Sequence, residues 1–280
     1  MQGKVVVITG ATSGIGAVAA RRLADMGARI VLVARDRTRG EAALTELRSG
    51  GTRISHSIHY GDLSRISEMK RLVVEIAGAE PRIDVLINNA GALFASRQMT
   101  EDNLELAFAI NHMAYFVLTN GLRERLLAAS PARIVNTASN AHRGCKLDFD
   151  DLQSKNGFSG RKAYGRSKLC NILFTRELAR RWRGLGVTAN CLHPGFVATR
   201  FGDGSGGLLS HAVRVAKTFA ISPENGAKTI VYLASSADVA GVSGEYFYQC
   251  QPATPTMEAR DDTSAKRLWM ESAKLAGIEA

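Results

Sequence analysis

Short apolar runs alternate with helix-forming stretches along the whole of this sequence, and this order limits the fold more than any single motif does. The runs are rich in Val, Ile and Leu, and they lie at residues 4–10, 28–34, 53–64, 83–91, 132–139, 187–195 and 244–249. Because most of them are continuously apolar, they predict strands of a parallel sheet with helices on both faces.

Segments of helical periodicity separate these runs, at residues 16–27, 38–49, 67–78, 101–127, 162–182 and 222–235. Thr38 and Glu41 fit a capping box at the start of the second helix. No linker or internal repeat divides the 280 residues. We therefore expect a doubly wound, mostly parallel Rossmann-type α/β sheet with helices on both faces, in one domain at residues 1–280.

The composition narrows the class of protein. Apolar residues make up 45% and charged residues 22% of the chain, as in soluble globular proteins. No apolar run approaches the roughly 20 residues that a membrane span needs, and the first residues do not form a signal peptide. These features favour a cytoplasmic protein without a transmembrane anchor, and they leave peripheral membrane association open.

Neither a metal site nor a nucleic-acid partner is predicted. The cysteines are scattered, which favours reduced thiols and no bound metal. They are Cys145, Cys170, Cys191 and Cys250. The formal net charge is +10, and the densest run of arginines lies at residues 176–183. Its period is helical, which predicts a solvated helix face, and an anionic cofactor could use part of the remaining charge.

A glycine-rich turn, TGATSGIG, follows the first predicted strand and opens the first helix. Glycines let a backbone turn tightly and approach a pyrophosphate, which then lies at the helix N-terminus. The spacing is G-x-x-x-G-x-G, and a plain strand-to-helix turn is the alternative interpretation. The dinucleotide-binding residues predicted in this turn are Thr9, Gly10, Ser13, Gly14, Ile15 and Gly16.

The end of the second predicted strand carries the sequence VARDRTRGE. Asp36 lies where an acid would bind the ribose 2′-hydroxyl of NAD, whereas Arg35 comes first after the strand and matches the 2′-phosphate of NADP. We interpret Arg35 as the phosphate ligand, with Asp36 turned to solvent or to a neighbouring arginine. Arg39 is a second candidate. The pattern favours NADP(H) over NAD(H).

The segment KAYGRSKLC places Tyr164 four residues before Lys168, the spacing at which two side chains meet on one helix face. Alone this pair is weak evidence. Together with the glycine turn and the NNAG sequence at residues 88–91, it resembles the short-chain dehydrogenase/reductase family. Longer stretches, such as AYGRSKLCNILFTRELARR and GVTANCLHPGFVAT, resemble the retinol dehydrogenase-like branch, and the similarity covers nearly the whole chain.

The resemblance implies four active-site residues. Asn111 matches the asparagine that kinks its helix and holds a water, and Ser139 matches the serine that binds the substrate oxygen. Tyr164 and Lys168 match the proton-transfer pair, in which the ammonium lowers the pKa of the phenol. Many relatives carry two serines where this chain has Ala138 and Ser139, and the serine that matches the catalytic one is kept.

The resemblance also implies contacts with the cofactor beyond the glycine turn. Tyr164 and Lys168 belong to this set as well as to the catalytic one. The other residues are Asp62, Leu63, Asn89, Ala90, Gly91, Pro194, Gly195, Val197 and Thr199. A glycine-rich segment at residues 200–222 predicts a substrate lid, whose apolar stripe is either a wall for a lipophilic substrate or ordinary core.

These features predict an NADP(H)-dependent oxidoreductase that interconverts an alcohol and a ketone or aldehyde of lipophilic character. The alternative is a catalytically idle NADP(H)-binding regulatory protein on the same fold. Relatives often pair through the helices that correspond to residues 103–128 and 162–183, which would give a homodimer or homotetramer.

Overall fold

A computed structural model of the protein describes residues 1–49, 54–195 and 221–279. Its strands are β1 (Val5–Thr9), β2 (Arg29–Ala34), β3 (Ser57–Tyr60), β4 (Val85–Asn88), β5 (Ala132–Thr137), β6 (Val187–Leu192), β7 (Tyr246–Tyr248) and β8 (Gln251–Pro252). They form one sheet in the order β3-β2-β1-β4-β5-β6-β7-β8. All neighbouring pairs are parallel except β7 and β8. The predicted α/β sheet is confirmed.

Helices connect the parallel strands and cover both faces of the sheet. They are α1 (Gly14–Asp25), α2 (Arg37–Ser49), α3 (Ile66–Ala79), α4 (Leu106–Phe108), α5 (Ala114–Gly121), α6 (Arg123–Leu127), α7 (Gly160–Arg181), α8 (Pro223–Ser235) and α9 (Asp262–Ala276). A π-helical segment, Ala109–Met113, joins α4 to α5. Within the described ranges, no helix has both the length and the apolar character that crossing a membrane requires.

The two faces of the sheet bury separate apolar clusters, because successive side chains of a strand point to opposite faces. Val7 of β1 and Leu86 of β4 belong to the cluster under α3, α5, α7 and α9. Val6 and Ile8 of β1 belong to the cluster under α1 and α8. Coverage on both faces explains why the central strands are continuously apolar in sequence.

α2 begins with a different cap from the one that the sequence predicts. The Asp36 carboxylate accepts a hydrogen bond from the backbone N–H of Arg39 at 2.9 Å. Glu41 instead accepts a hydrogen bond from the Tyr60 hydroxyl at 2.6 Å. The predicted capping box of Thr38 and Glu41 is therefore wrong, because tertiary contact with β3 takes the glutamate away from the helix end.

The predicted helix at residues 101–127 is shorter and interrupted. It begins at Leu106, where the Glu105 carboxylate accepts hydrogen bonds from the N–H groups of Ala107 and Phe108 at 3.0 and 2.9 Å. The π-helical segment then changes the helical phase before α5, so residues on either side face different parts of the core.

α9 packs along α7 and closes an aromatic cluster. Trp269 stacks on Phe174 with ring centroids 5.8 Å apart, and the Arg181 guanidinium lies over Trp269 at 4.5 Å. Arg180 and Arg181 both pair with the buried carboxylate of Glu177. The predicted solvated arginine face is therefore only partly correct, because Arg181 stabilises the packing of α9.

Candidate active site

The glycine turn between β1 and α1 lies at the carboxyl edge of the sheet, beside the end of β4. Gly10 and Gly14 have φ angles of +68° and +59°, a region that favours glycine. A Cβ atom on Gly10 would lie 2.7 Å from the Cα atom of Ala90, and one on Gly16 would lie 2.3 Å from the carbonyl oxygen of Gly10. The packing of the turn therefore requires glycine at these positions.

Two polar side chains hold this turn against the neighbouring strands. The Thr9 hydroxyl accepts hydrogen bonds from the N–H groups of Asn89 and Ala90, both at 3.0 Å. The Asn89 amide donates to the carbonyl oxygens of Thr9 and Gly10 at 3.2 and 3.1 Å. Thr9 and Asn89, predicted as cofactor contacts, thus bind to protein groups that fix the shape of the turn.

The amino end of α1 suits an anion. Ser13 occupies the N-cap position in an extended conformation, and its side chain makes no capping hydrogen bond. The N–H groups of the first turn, on Gly14, Ile15 and Gly16, are therefore left for another acceptor, and the helix dipole favours negative charge there. Together with the close-packed glycines, these groups fit the pyrophosphate of a dinucleotide.

Arginines surround the end of β2. The Asp36 carboxylate lies 3.5 Å from the Nε atom of Arg39. The hydrogen bond from the Arg39 backbone, together with the arginine charge, lowers the pKa of Asp36. The Arg37 guanidinium lies over the Tyr60 ring at 4.6 Å, and Arg35 is exposed. Asp36 is thus turned to a neighbouring arginine, as the sequence predicts.

Asp62 and Leu63 follow β3 at the same edge of the sheet. One oxygen of the Asp62 carboxylate accepts a hydrogen bond from the N–H of Ser64 at 3.0 Å, which shapes the turn. Leu63 is partly buried against the apolar core. Their position is compatible with the cofactor contact that the resemblance implies, which stays a prediction.

Asn111 lies in the π-helical segment, and its side chain is fully buried. Its amide oxygen accepts a hydrogen bond from the Ala92 N–H at 2.8 Å, and its amide nitrogen donates to the Ala92 carbonyl and the Ser167 hydroxyl, both at 2.9 Å. The Ser167 hydroxyl donates to the Tyr164 carbonyl at 2.7 Å. Asn111 therefore joins the loop after β4 to the helix that carries Tyr164.

Ser139 and Tyr164 meet at the end of β5. Ser139 begins a short 3-10 turn, Asn140–His142, and its hydroxyl accepts a hydrogen bond from the Ala141 N–H at 3.2 Å. A side-chain hydrogen bond joins Ser139 to Tyr164. A Cβ atom on Gly165 would lie 2.5 Å from the Ala141 carbonyl oxygen, so glycine allows α7 to approach this turn.

Lys168 is buried directly beneath this pair, with only 2% of its surface exposed. Its ammonium donates a hydrogen bond to the Thr137 carbonyl at 2.9 Å and lies 5.7 Å from the centre of the Tyr164 ring. A Cβ atom on Gly91 would lie 3.2 Å from the Lys168 Nζ atom, so glycine leaves space for the ammonium. The four predicted catalytic residues are thus brought together from three separate segments: the π-helical segment with Asn111, the end of β5 with Ser139, and α7 with Tyr164 and Lys168.

Burial changes the pKa values of the proton-transfer pair. It raises the pKa of Tyr164 to about 12, against a lowering by the hydrogen bond to Ser139. It lowers the pKa of Lys168 to about 7. Loss of hydration therefore dominates both pKa values in this structure. The lowering of the phenol pKa by the ammonium stays a prediction.

Pro194 and Gly195 follow β6 at the same edge. Gly195 has a φ angle of +85°, and a Cβ atom on it would lie 2.8 Å from the Cδ1 atom of Ile221. This contact puts an apolar side chain from the end of the predicted lid beside the loop. Val197, Thr199 and residues 200–220 of the predicted lid lie outside the described residues.

Sequence reasoning missed a buried polar row on α7 that supports Lys168. Asn171 donates from its amide to the Thr137 carbonyl at 3.3 Å, and Thr175 accepts a hydrogen bond from the Asn136 amide at 2.9 Å. Ser167, Asn171 and Thr175 recur every four residues. The four-residue spacing of these polar residues is visible in the sequence and could have identified the row. Polar groups on a buried helix face need hydrogen-bond partners inside the protein.

Cysteine, histidine and carboxylate groups give no metal centre in the part of the chain that the structure describes. Within residues 1–49, 54–195 and 221–279, no three such groups lie close enough together to hold an ion. The cysteines of this part are free thiols.

Comparison with known proteins identifies the family. The profile described as short chain dehydrogenase matches residues 4–205, well over half of the chain. This chain belongs to the short-chain dehydrogenase family.

Curated relatives identify the branch. Retinol dehydrogenase 13 of Homo sapiens is 40% identical over 286 residues, which cover 99% of this chain and 86% of that protein. Retinol dehydrogenase 12 of Mus musculus is 40% identical over 277 residues, covering 99% and 87%. The chain lies in the retinol dehydrogenase-like branch.

Solved structures share the fold. An uncharacterized protein from Mycobacterium Paratuberculosis has a TM-score of 0.78 and 31% identity, covering 99% of this chain and 95% of its own. A short chain dehydrogenase from Burkholderia cenocepacia in complex with NADP has a TM-score of 0.70 and 25% identity, covering 88% and 95%.

Proposed function

We propose that this protein interconverts an alcohol and a ketone or aldehyde by hydride transfer with NADP(H). The observation that carries the proposal is the Lys168 ammonium, 2% exposed and 5.7 Å from the Tyr164 ring. A buried charge lowers stability, and an apolar residue would fill a purely structural position at less cost in free energy. Buried groups with shifted pKa values are typical of sites that transfer protons.

The nicotinamide ring, when bound, supplies the hydride chemistry and, in its oxidised form, a positive charge. The protein moves one proton at the carbinol oxygen. The Tyr164 hydroxyl donates it to the carbonyl oxygen during reduction, and the phenolate accepts it during oxidation. Ser139 donates a hydrogen bond to the same oxygen, and Asn111 holds the helix of Tyr164 in register with the loop after β4.

The magnitudes require Lys168 to stay close to the phenol. The rise of the Tyr164 pKa from 10.0 to about 12 corresponds to roughly 3 kcal/mol. An ammonium about 4 Å from a phenolate supplies roughly 4 kcal/mol at an effective dielectric constant near 20. A close Lys168 therefore offsets the cost of burial, and further positive charge in the site lowers the phenol pKa toward neutrality.

The preference for NADP(H) is supported by the end of β2. Asp36 caps α2 and pairs with Arg39, so its carboxylate is occupied by protein groups. Arg35 is exposed and follows the strand, where a guanidinium binds a 2′-phosphate. The related protein from Burkholderia cenocepacia was solved in complex with NADP.

A lipophilic substrate is supported by the retinol dehydrogenase relatives at 40% identity. The test is a panel of retinal, aliphatic and aromatic aldehydes and ketones, with NADPH or NADH absorbance as the readout and Lys168→Met as the background control. We expect the highest kcat/KM with NADPH and an apolar carbonyl compound. Tight NADPH binding without turnover on the panel would favour the regulatory alternative.

A further inference from the structure

The Lys168 ammonium has unusual surroundings for a buried charge. Its hydrogen bond goes to a neutral group, the Thr137 carbonyl, at 2.9 Å. Two aromatic rings flank it, with centres at 5.7 Å for Tyr164 on α7 and 5.5 Å for Tyr115 on α5. In the part of the chain that the structure describes, burial alone accounts for its lowered pKa, and no carboxylate acts on it.

Tyr115 is itself held firmly. It is 1% exposed, and its hydroxyl donates a hydrogen bond to the Ala90 carbonyl at 2.9 Å and lies 3.5 Å from the Thr137 carbonyl. Ala90 and Thr137 stand at the ends of β4 and β5, so the ring is fixed between two strands and the ammonium. An aromatic face within about 6 Å of a cation attracts it, and more strongly where water is excluded.

We propose that Tyr115 is a positioning residue, whose ring holds the Lys168 side chain in place and stabilises its charged form. The proposal rests on the proposed role of Lys168 beside Tyr164. It adds a residue that acts on the ammonium rather than on the substrate.

Among the described residues, the titratable groups that face the ammonium are the phenols of Tyr115 and Tyr164. Burial raises the pKa of Tyr115 well above its ordinary value, and the neighbouring Tyr164 adds to that rise. Burial also raises the pKa of Tyr164 to about 12, so both rings stay neutral while Lys168 titrates at about 7. Two further neighbours, Gly91 and Thr137, do not titrate. Weakening the attraction between the face of the Tyr115 ring and the ammonium must therefore lower the Lys168 pKa further.

The test reduces the attraction of the ring face for a cation while keeping the size of the ring nearly constant. Tyr115→Phe, Tyr115→4-fluorophenylalanine and Tyr115→3,4,5-trifluorophenylalanine have similar volumes, but each fluorine withdraws charge from the ring. The Lys168 pKa is measured by NMR titration of the folded chain with ¹⁵N-labelled lysine, and Lys168→Met identifies the resonance. We expect a stepwise fall of roughly 0.5 to 1.5 pKa units across the series, the range of a desolvated cation–π interaction.

Phe116→3,4,5-trifluorophenylalanine is the matched control. Phe116 follows Tyr115 in α5 and packs against Trp269 with ring centroids 5.0 Å apart. The Phe116 variant should leave the Lys168 pKa unchanged. A constant Lys168 pKa across the Tyr115 series, or an equal fall in the Phe116 variant, would overturn the proposal. Because the titration needs no substrate or cofactor, its outcome is separate from that of the proposed reaction.

The pH profile of alcohol oxidation gives a second readout. A less charged Lys168 stabilises the Tyr164 phenolate less, so the acid limb of kcat should move to higher pH by a similar amount. A fall in the Lys168 pKa with no movement of that limb would overturn the link between Tyr115 and the reaction.

Discussion

At the scale of single residues, the site depends on a lysine that opposes folding. The pKa of Lys168 falls from 10.5 to about 7 on burial. Between these values the unfolded chain binds the proton and the folded chain releases it. Stability therefore rises with pH through this window, and it is lowest where both states are protonated, below about 7.

Lys168→Met should remove this dependence. At pH 7 the free energy of unfolding should rise by up to roughly 4 kcal/mol, and near pH 10.5 it should change little. Urea unfolding at both pH values measures the difference. Lys162→Met, at an exposed position on the same helix, should change neither. An equal effect of Lys168→Met at both pH values would contradict the assigned burial cost.

The sequence predicted that Tyr164 and Lys168 lie close together, but not how their surroundings shift the two pKa values. Helix geometry placed Tyr164 and Lys168 on one face, because a four-residue spacing fixes that relation. The direction of their pKa values could not be read from the segment, since Thr137 and Tyr115 come from other parts of the chain. Tyr115 lies four residues after Asn111, which was a readable hint that both serve the same site.

At the scale of elements, α9 packs against α7, the helix that carries Tyr164 and Lys168 of the candidate active site. Its apolar and small residues recur with helical spacing: Ala265, Leu268, Trp269, Ser272 and Ala276. The Ser272 hydroxyl lies 2.8 Å from the Nε2 atom of His112. His112 follows Asn111 in the π-helical segment. The C-terminal helix is therefore packed against both α7 and the segment that positions Asn111.

Trp269→Ala should destabilise the fold strongly. Removing a buried tryptophan costs about 3–5 kcal/mol, which corresponds to a fall in Tm of roughly 6–15 °C in a chain of this size. Met270→Ala is the matched control, because Met270 is the next residue and is 53% exposed. Thermal unfolding compares the two. A Tm of Trp269→Ala within about 2 °C of the parent would contradict the packing role of α9.

Some elements could be predicted and others could not. The strands were readable because a parallel sheet covered on both faces needs continuous apolar runs. The family resemblance implied a kink at Asn111, but periodicity alone could not show the π-helical segment, since Asn111 exchanges hydrogen bonds with Ala92, 19 residues earlier in the chain. The predicted cap of α2 was wrong because Glu41 accepts a hydrogen bond from Tyr60 on β3. Tertiary contacts decided each of these cases.

At the scale of the whole molecule, the sheet order gathers distant segments at one edge. β1, β4, β5 and β6 are adjacent, and the glycine turn, Asn89, Ser139 and Pro194 follow them. In open α/β sheets, ligands bind outside the carboxyl ends of the strands. The arrangement couples cofactor binding to the stability of the domain as a whole.

NADP⁺ should raise the Tm measurably. A ligand at 100 times its Kd adds about 2.7 kcal/mol, or roughly 5–10 °C for a domain of this size. Arg35→Ala should reduce the shift by NADP⁺ and leave the shift by NAD⁺ unchanged. Arg21→Ala is the control, since Arg21 pairs with Glu46 on the surface. Equal shifts by NADP⁺ in all three proteins would contradict the role of Arg35.

The proposed reaction depends above all on proton transfer by Tyr164 at the carbonyl oxygen. The most direct test compares Tyr164→Phe with the parent and with Tyr232→Phe, using NADPH and the best carbonyl substrate. NADPH binding is measured on the same samples. We predict that binding changes by less than about threefold while kcat of Tyr164→Phe falls roughly 10²–10⁴-fold and that of Tyr232→Phe does not. Undiminished turnover by Tyr164→Phe would contradict the role of Tyr164 in proton transfer.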